Sequence, residues 1–246
     1  MKFESYKKDL TIIVTTSIID YHPNTELIEI FMRTLNKRLN FYDVKKIITC
    51  DECLDQNYTE NYKTYKNKLK YLCETDSDFL NCKVIEYKDI SKAYTTPRLQ
   101  DIIKDVLENH ITTPVFMQLQ HDFSFVRNVD ITPILKLICE EKMKYLMLNY
   151  KEISNGDEFE IDDIFLTNCN YWAENAGICL TSYYPKYVYP YLTFDETIEN
   201  CMNYKNNWSQ YSVDLRPHFF GKIGDSPIMY HMDGGVFPNK PRNKYG

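Results

Sequence analysis

The first 150 residues alternate between short apolar runs and longer segments with a helical period. Apolar runs of strand length lie at residues 10–16, 44–50, 82–87, 115–120 and 144–149. Between the first two runs, Leu27, Phe31, Leu35 and Leu39 recur at i, i+4 spacing, which predicts an amphipathic helix. Further helices are predicted at about 59–74, after Pro97 in a first turn, and at 131–143. This alternation predicts right-handed βαβ crossovers and a mostly parallel sheet covered by helices, an α/β fold of nucleotide-binding type.

The second part of the chain has a weaker pattern. Strands are predicted at 159–166 and 176–183, a short helix at 195–204 with Asp195 or Thr193 as N-cap, and a terminal strand pair at 218–223 and 227–231. The polar tail from about 236 to 246 is expected to fray. Because no repeat or low-complexity linker interrupts the chain, a single domain over 1–246 with an irregular mixed α+β C-terminal half is the simplest prediction.

Composition excludes several function classes. A net charge of −6 argues against nonspecific nucleic-acid binding, so small-molecule partners are expected. The charged start of the chain does not resemble a signal peptide, and no apolar run approaches the roughly 18 residues of a membrane span. The sequence therefore predicts a cytoplasmic protein whose eight cysteines are mostly reduced thiols. Cys50 and Cys53 form one Cys-x-x-Cys, but a zinc site would need a second tight pair, so buried or incidental thiols are favoured.

Glycine placement excludes two nucleotide-binding motifs. The first glycine of the chain is Gly156, beyond the predicted α/β strands. Both the dinucleotide fingerprint and the Walker A loop need glycines directly after an early strand, because the backbone must approach phosphate closely. Any nucleotide in this fold must therefore be held by side chains, or by side chains and a metal.

Polar side chains follow three of the predicted strands. Thr15-Thr16-Ser17 ends the first strand, Asp51 follows the second, and His121-Asp122 follows the fourth. Each residue alone has an ordinary explanation as a strand former, a turn residue or a solvated strand end. In an open parallel sheet, however, ligands bind beyond the carboxyl ends of the strands. Together these side chains predict a site for a nucleotide, a phosphate or a metal.

Five segments resemble GT-A-fold glycosyltransferases of the inverting, family-2-like type. Residues 15–17 with 22–27 are similar to the opening of that fold, and residues 49–52 resemble its base-binding Asp after the second strand. Residues 96–98 are similar to the segment whose Arg opens the helix before the metal-binding strand. Gln120-His121-Asp122 resembles a variant Asp-x-Asp motif, and residues 227–234 resemble a C-terminal segment whose His completes the site. The resemblance spans about residues 10–235.

The resemblance implies an enzyme that transfers a hexosyl or pentosyl group from a UDP- or GDP-sugar to a glycan or other hydroxyl acceptor. It implies a nucleotide-sugar-binding half at about 10–125 and an acceptor half at about 126–235. Asp122 and His231 would bind Mn²⁺, or alternatively Mg²⁺. The expected nucleotide-sugar contacts are Thr15, Thr16, Ser17, Asp51, Arg98, Gln120 and His121. Gln120 departs from the usual motif, which has its first Asp there, and this leaves one carboxylate ligand.

The catalytic base of such an enzyme would be a carboxylate that accepts the acceptor hydroxyl's proton. Asp195 and Glu196 open the predicted short helix, although acidic residues are also ordinary at a helix N-terminus. Glu174, beside Tyr171 and Trp172, is a further candidate. His231 has an alternative as well, a structural histidine bonded to Asp233.

Two other functions fit the sequence. A sugar-phosphate nucleotidyltransferase uses the same type of sheet, but normally has a Gly-rich basic loop after the first strand, which residues 17–20 do not provide. A non-catalytic module that binds a sugar nucleotide or glycan would explain Gln120 as the mark of a lost metal site.

Overall fold

A computed structural model of the chain describes residues 3–17, 24–51, 59–87, 99–169, 171–173, 176–192, 198–205 and 211–232. Eleven strands lie in these residues. They are β1 Leu10–Thr16, β2 Lys45–Cys50, β3 Cys82–Glu86, β4 Val115–Gln120, β5 Phe123–Phe125, β6 Tyr145–Met147, β7 Glu158–Ile161, β8 Ile164–Asn168, β9 Gly177–Leu180, β10 His218–Phe220 and β11 Met229–His231. Five α-helices accompany them, α1 Glu26–Leu39, α2 Thr59–Thr75, α3 Leu99–Asn109, α4 Thr132–Cys139 and α5 Ile198–Lys205.

Nine of the strands form one sheet in the order β3-β2-β1-β4-β9-β6-β10-β8-β7. The first four are mutually parallel, and among all nine only β9 and β8 run against the common direction. The prediction of a mixed α/β fold with a mostly parallel central sheet flanked by helices is therefore confirmed. Strands β5 and β11 form a separate antiparallel pair.

The apolar periodicity of the first part of the chain corresponds to burial. All seven residues of β1 are buried, as expected for a central strand covered on both faces. The i, i+4 series on α1, from Leu27 to Leu39, is buried as well. The helix ends at Asn40, which adopts a left-handed conformation with φ of 56° that asparagine tolerates well.

Several predictions for the second part of the chain were wrong in detail. The single strand expected at 159–166 is a hairpin of β7 and β8, because Asp162 and Asp163 both adopt positive φ and reverse the chain. The two terminal strands do not pair with each other. Instead β10 lies between β6 and β8, and β11 pairs with β5, a strand that the sequence did not predict. Helix α4 is also shorter than expected.

Among the described residues, no helix is both long enough and apolar enough to cross a membrane.

Candidate functional site

A polar cavity of about 240 Å³ lies at the carboxyl ends of β1, β2 and β4. Strand β1 lies between the other two, with Thr15 in register with Thr49 of β2 and with Gln120 of β4. The cavity is lined by Thr15, Thr16, Ser17, Thr49, Asp51, Leu99, Ile102, Gln120, His121 and Asp122. The structure thus brings together every candidate side chain that the sequence placed at these three strand ends, and adds Thr49 and an apolar wall from α3.

Asp51 occupies the β2 end of this cavity. Its Oδ1 accepts a hydrogen bond of 2.9 Å from the hydroxyl of Tyr62 on α2. Burial raises the pKa of Asp51 to about 6, although the Tyr62 hydrogen bond and the charge of Lys66 both favour the ionised form. The fold therefore holds a carboxylate in an environment that disfavours its charge, which is typical of groups with a functional role.

Helix α2 supports the cavity through two tyrosines on its buried face. The Tyr65 hydroxyl lies 2.5 Å from Thr16 Oγ1 at the end of β1. The Tyr62 hydroxyl makes the equivalent contact with Asp51 at the end of the neighbouring strand, β2. The two rings are stacked with centroids 5.8 Å apart, and Lys66 Nζ lies 5.0 Å from the Tyr62 ring centroid. Lys66 also pairs with Glu86 of β3 at 2.9 Å. Because these residues recur at i, i+3 and i+4, one helical face fixes the orientation of two cavity side chains.

Hydrogen bonds to neighbouring backbone carbonyls hold Thr15 and His121 against the sheet. The Thr15 hydroxyl donates to the Leu119 carbonyl at 3.3 Å, and the His121 amide donates to the Thr15 carbonyl at 3.1 Å. Burial lowers the pKa of His121 to about 4, so its imidazole is neutral at pH 7. His121 can therefore offer a neutral donor or acceptor to a ligand, but not a positive charge.

Asp122 and His231 meet at the β4 end of the cavity. Asp122 Oδ2 lies 3.3 Å from His231 Nε2, and the Met232 amide donates to the Asp122 carbonyl. This proximity results from the β5–β11 pair, in which His231 is in register with Phe123 and packs against its ring. Two residues that are 109 positions apart in the chain are thus held at one point by a short piece of sheet.

Asp122 and His231 are the described residues that could hold a divalent cation at this end of the cavity. A carboxylate oxygen and an imidazole nitrogen are both metal-ligand atoms, and a mixed pair of this kind suits Mn²⁺ better than Mg²⁺, which prefers oxygen ligands. No cluster of three or more His, Cys, Asp or Glu residues suited to a metal occurs in the described part of the chain. An ion here would need further ligands from a bound diphosphate.

Other predicted site residues lie outside the described residues. These are Arg98, Glu174, Asp195 and Glu196, together with Asp233, the alternative partner of His231. Two large aromatic side chains of the second part of the chain, Tyr183 and Tyr184, are buried. Tyr183 stacks on Tyr145 with centroids 5.7 Å apart, and the Tyr184 hydroxyl donates to Gln118.

The sequence did not point to Tyr62 and Tyr65 as residues of the site. Helix α2 is polar on most of its surface, and only Tyr62, Tyr65, Leu69 and Leu72 are buried in it. The signal was present in the sequence, because two tyrosines begin the only apolar stripe of a helix that follows Asp51. Their partners could be assigned only once the packing of α2 on β1 and β2 was known.

Comparisons with known proteins find similar structures but no similar sequences. No protein-family model matches the sequence, and no curated protein sequence matches it. Among solved structures, S. aureus TarS 1–349 in complex with UDP-GlcNAc is 14% identical with a TM-score of 0.51, covering 91% of this chain and 60% of that chain. GalNAc-T7 with UDP, GalNAc and Mn²⁺ is 9% identical with a TM-score of 0.56, covering 86% of this chain and 42% of that chain.

The fold is of the GT-A type. TarS is a GT-A-type glycosyltransferase, and the resemblance read from the sequence is confirmed at the level of the fold. At these identities the likeness concerns the fold alone. The chain spans less than two thirds of the length of either protein.

Proposed function

We propose that the protein is a glycosyltransferase that moves a hexosyl or pentosyl group from a nucleoside-diphosphate sugar to a hydroxyl acceptor. The observation that carries the proposal is the cavity with a partly buried carboxylate, Asp51, at one end and the Asp122–His231 pair at the other. Asp51 follows β2, Asp122 follows β4, and β1 lies between them. Because neighbouring strands are about 4.8 Å apart, the two ends are separated by roughly 10 Å. A nucleoside at Asp51 would place its diphosphate towards Asp122 and His231.

The side chains between these ends suit the middle of such a ligand. Thr16 and Ser17 can exchange hydrogen bonds with ribose hydroxyls or phosphate oxygens, and Tyr65 holds the Thr16 hydroxyl in one orientation. Leu99 and Ile102 give the cavity an apolar wall. A preformed pocket in which polar groups converge beside an apolar wall is suited to a polar small molecule such as a nucleotide.

Asp122 and His231 would hold a divalent cation, whose role when bound would be to neutralise the charge that develops on the departing diphosphate. In an inverting displacement, the acceptor oxygen attacks the anomeric carbon while the bond from that carbon to the phosphate oxygen breaks. The nucleoside diphosphate leaves with the bonding electrons. The acceptor's proton passes to a carboxylate, for which Asp195, Glu196 and Glu174 are the candidates.

Incubation of the full chain with a panel of UDP- and GDP-sugars, with Mn²⁺ and simple glycan acceptors, tests this function. We expect release of a nucleoside diphosphate and inversion at the anomeric carbon by NMR. Release of pyrophosphate from a sugar phosphate and a nucleoside triphosphate would instead indicate nucleotidyl transfer. Binding without turnover across the panel would indicate a sugar-nucleotide-binding module, and retention of configuration would contradict the single displacement.

A further inference from the structure

We propose that Cys73 and Cys82 form a reversible disulfide that fastens helix α2 to strand β3 under oxidising conditions. The two residues lie on neighbouring elements, Cys73 near the end of α2 and Cys82 at the start of β3. Strand β3 is the last strand of the described sheet on this side and pairs there with β2. Neither cysteine lines the cavity, so the proposal does not rest on the proposed function.

One face of α2 meets one face of β3. Lys66, Lys70 and Cys73 lie at i, i+4 and i+7 and therefore form one stripe along the helix. Cys82 and Glu86 are four residues apart on the strand, so their side chains project from the same face. Both lysines pair with Glu86, Lys66 at 2.9 Å. At the other end of the strand, the thiols of Cys73 and Cys82 are hydrogen-bonded to each other. The ion pairs and the thiol pair thus hold the two elements in one register.

A buried lysine lies beside Cys82. Lys46 of β2 is in register with Cys82, and its side chain is fully buried. Lys46 Nζ donates to the Leu80 carbonyl at 3.5 Å, and Cys82 Sγ lies 3.9 Å from the same oxygen. The hydrogen bond to Cys73 and burial raise the pKa of Cys82, and the Lys46 charge opposes that rise. Once the hydrogen bond to Cys73 is lost, this charge favours the Cys82 thiolate.

Cys73 has the exposure and the electrostatics that a reactive cysteine needs. Its hydrogen bond with Cys82 holds the pKa of Cys73 below the usual value of a thiol. The side chain is only partly buried, so a small reagent can reach it. Cys139 is partly buried too, but burial raises its pKa to about 11. Because the thiolate is the nucleophile in thiol chemistry, Cys73 is the attacking group.

The co-reactant of this chemistry is a low-molecular-weight disulfide such as oxidised glutathione. The Cys73 thiolate attacks one sulfur of that molecule, which forms a mixed disulfide and releases the other half as a thiolate. Cys82 then loses its proton to solvent, and its thiolate attacks the Cys73 sulfur. The bond between the two protein sulfurs forms as the bond from Cys73 to the small thiol breaks. Two protein thiols are oxidised, and one small disulfide is reduced to two thiols.

Mass spectrometry tests the proposal on the full chain equilibrated with oxidised and reduced glutathione, alkylated, and digested with trypsin without reduction. Trypsin cuts after lysine, so both cysteines fall in one peptide, residues 71–83, which holds no other cysteine. We expect this peptide to be two hydrogen atoms lighter and not alkylated, and to return to its reduced mass after excess dithiothreitol. A peptide that carries two alkyl groups, or only glutathione adducts, would overturn the proposal.

The same equilibration in concentrated urea shows whether the fold brings the two sulfurs together. We expect the equilibrium constant for oxidation to be about tenfold or more larger in the folded chain, because the fold already closes the loop of residues 74–81. By linkage, the oxidised protein should then melt roughly 4 °C higher than the reduced protein. Equal equilibrium constants in the folded and the unfolded chain would contradict the proposal.

Cys139→Ser is the matched control, since Cys139 is also a partly buried thiol but ends helix α4. This variant should keep both the lighter peptide and the rise in melting temperature. Cys73→Ser and Cys82→Ser should each lose both. A rise of the same size in Cys73→Ser would assign it to another cysteine and overturn the pair. If the serine variants fail to fold, the peptide mass in the wild type and in Cys139→Ser still decides. These readouts concern thiol chemistry alone, so the proposed glycosyl transfer can fail while the disulfide stands.

Discussion

The two halves of the central sheet differ in the length and the direction of their strands. On one side, β3, β2, β1 and β4 are parallel strands of five to seven residues, joined by long helices with apolar stripes. On the other side, β9, β6, β10, β8 and β7 have three to five residues each, and β9 and β8 run against the other three. The first region has the regularity that ligand-binding strand ends require, and the described cavity lies there.

The backbone shows the same contrast. Among the described residues of the first region, the non-glycine residues with positive φ are Asn40 and Asn81, both of the type that tolerates this conformation. Among those of the second they are Glu141, Asp162, Asp163 and Ala176. The core differs as well, since Tyr145 is stacked between Trp172 and Tyr183 with interplanar angles of 18° and 13°. The second region therefore depends on large aromatic contacts more than on regular secondary structure.

The cavity also depends on a strand outside both halves of the sheet, because His231 of β11, held against β5, lies beside Asp122 at the end of the cavity. If the pair holds Mn²⁺, Asp122→Ala and His231→Ala should each lower metal-dependent turnover by about a hundredfold or more, roughly 3 kcal/mol of transition-state stabilisation. The melting temperature of the protein without ligands should hardly change. Titration of Mn²⁺ in the presence of UDP should show weaker metal binding in both variants.

His110→Ala is the matched control for the metal prediction. His110 also faces a carboxylate, with Nε2 3.6 Å from Asp105, but neither residue lines the cavity. Its activity and Mn²⁺ binding should equal those of the wild type. Turnover that survives excess EDTA would show that Asp122 and His231 have a structural role instead.

In the first region, the ionised Asp51 of the site should lower the free energy of unfolding, and the variant Asp51→Asn measures this cost. Burial raises the pKa of Asp51 to about 6, so between about pH 4 and pH 6 the folded protein retains a proton that the unfolded chain releases. Stability therefore falls as the pH rises through this window, and the cost is fully present at pH 7. Asp51→Asn should raise the free energy of unfolding at pH 7 by about 1–2 kcal/mol while weakening UDP binding by about 1–3 kcal/mol.

The pH dependence is the decisive part of this measurement. Urea denaturation at pH 7 and at pH 4 should show the gain at the higher pH and little difference at the lower one, where Asp51 is protonated in the folded protein. Equal stability of the two proteins at pH 7 would mean that the Asp51 carboxylate is well solvated in the folded state.

The difference between the two regions also explains which features the sequence could predict. In the first region, long periodic patterns of apolar residues predicted the strands and helices. Because parallel strands bring their carboxyl ends to one edge of the sheet, the lining of the cavity by Thr15, Asp51 and Asp122 was predictable as well. The Tyr62 and Tyr65 partners were not, because they depend on how α2 is rotated against the sheet. In the second region the hairpin at Asp162-Asp163 was missed, because two aspartates at positive φ lack the glycine that usually marks such a turn.

The smallest predicted change in stability concerns a left-handed backbone conformation that occurs once in each region at the same φ. Asn40 after α1 and Glu141 after α4 both have φ of 56°, and both lie at exposed positions. Asparagine tolerates this conformation, whereas glutamate is strained by its Cβ, and glycine relieves that strain at some cost in unfolded-chain entropy. Glu141→Gly should therefore raise the free energy of unfolding by about 0.5 kcal/mol in urea denaturation, and Asn40→Gly should leave it nearly unchanged. Equal changes at the two sites would mean that the left-handed residues of the second region carry no extra strain, and the contrast between the halves would then lie in strand length and direction.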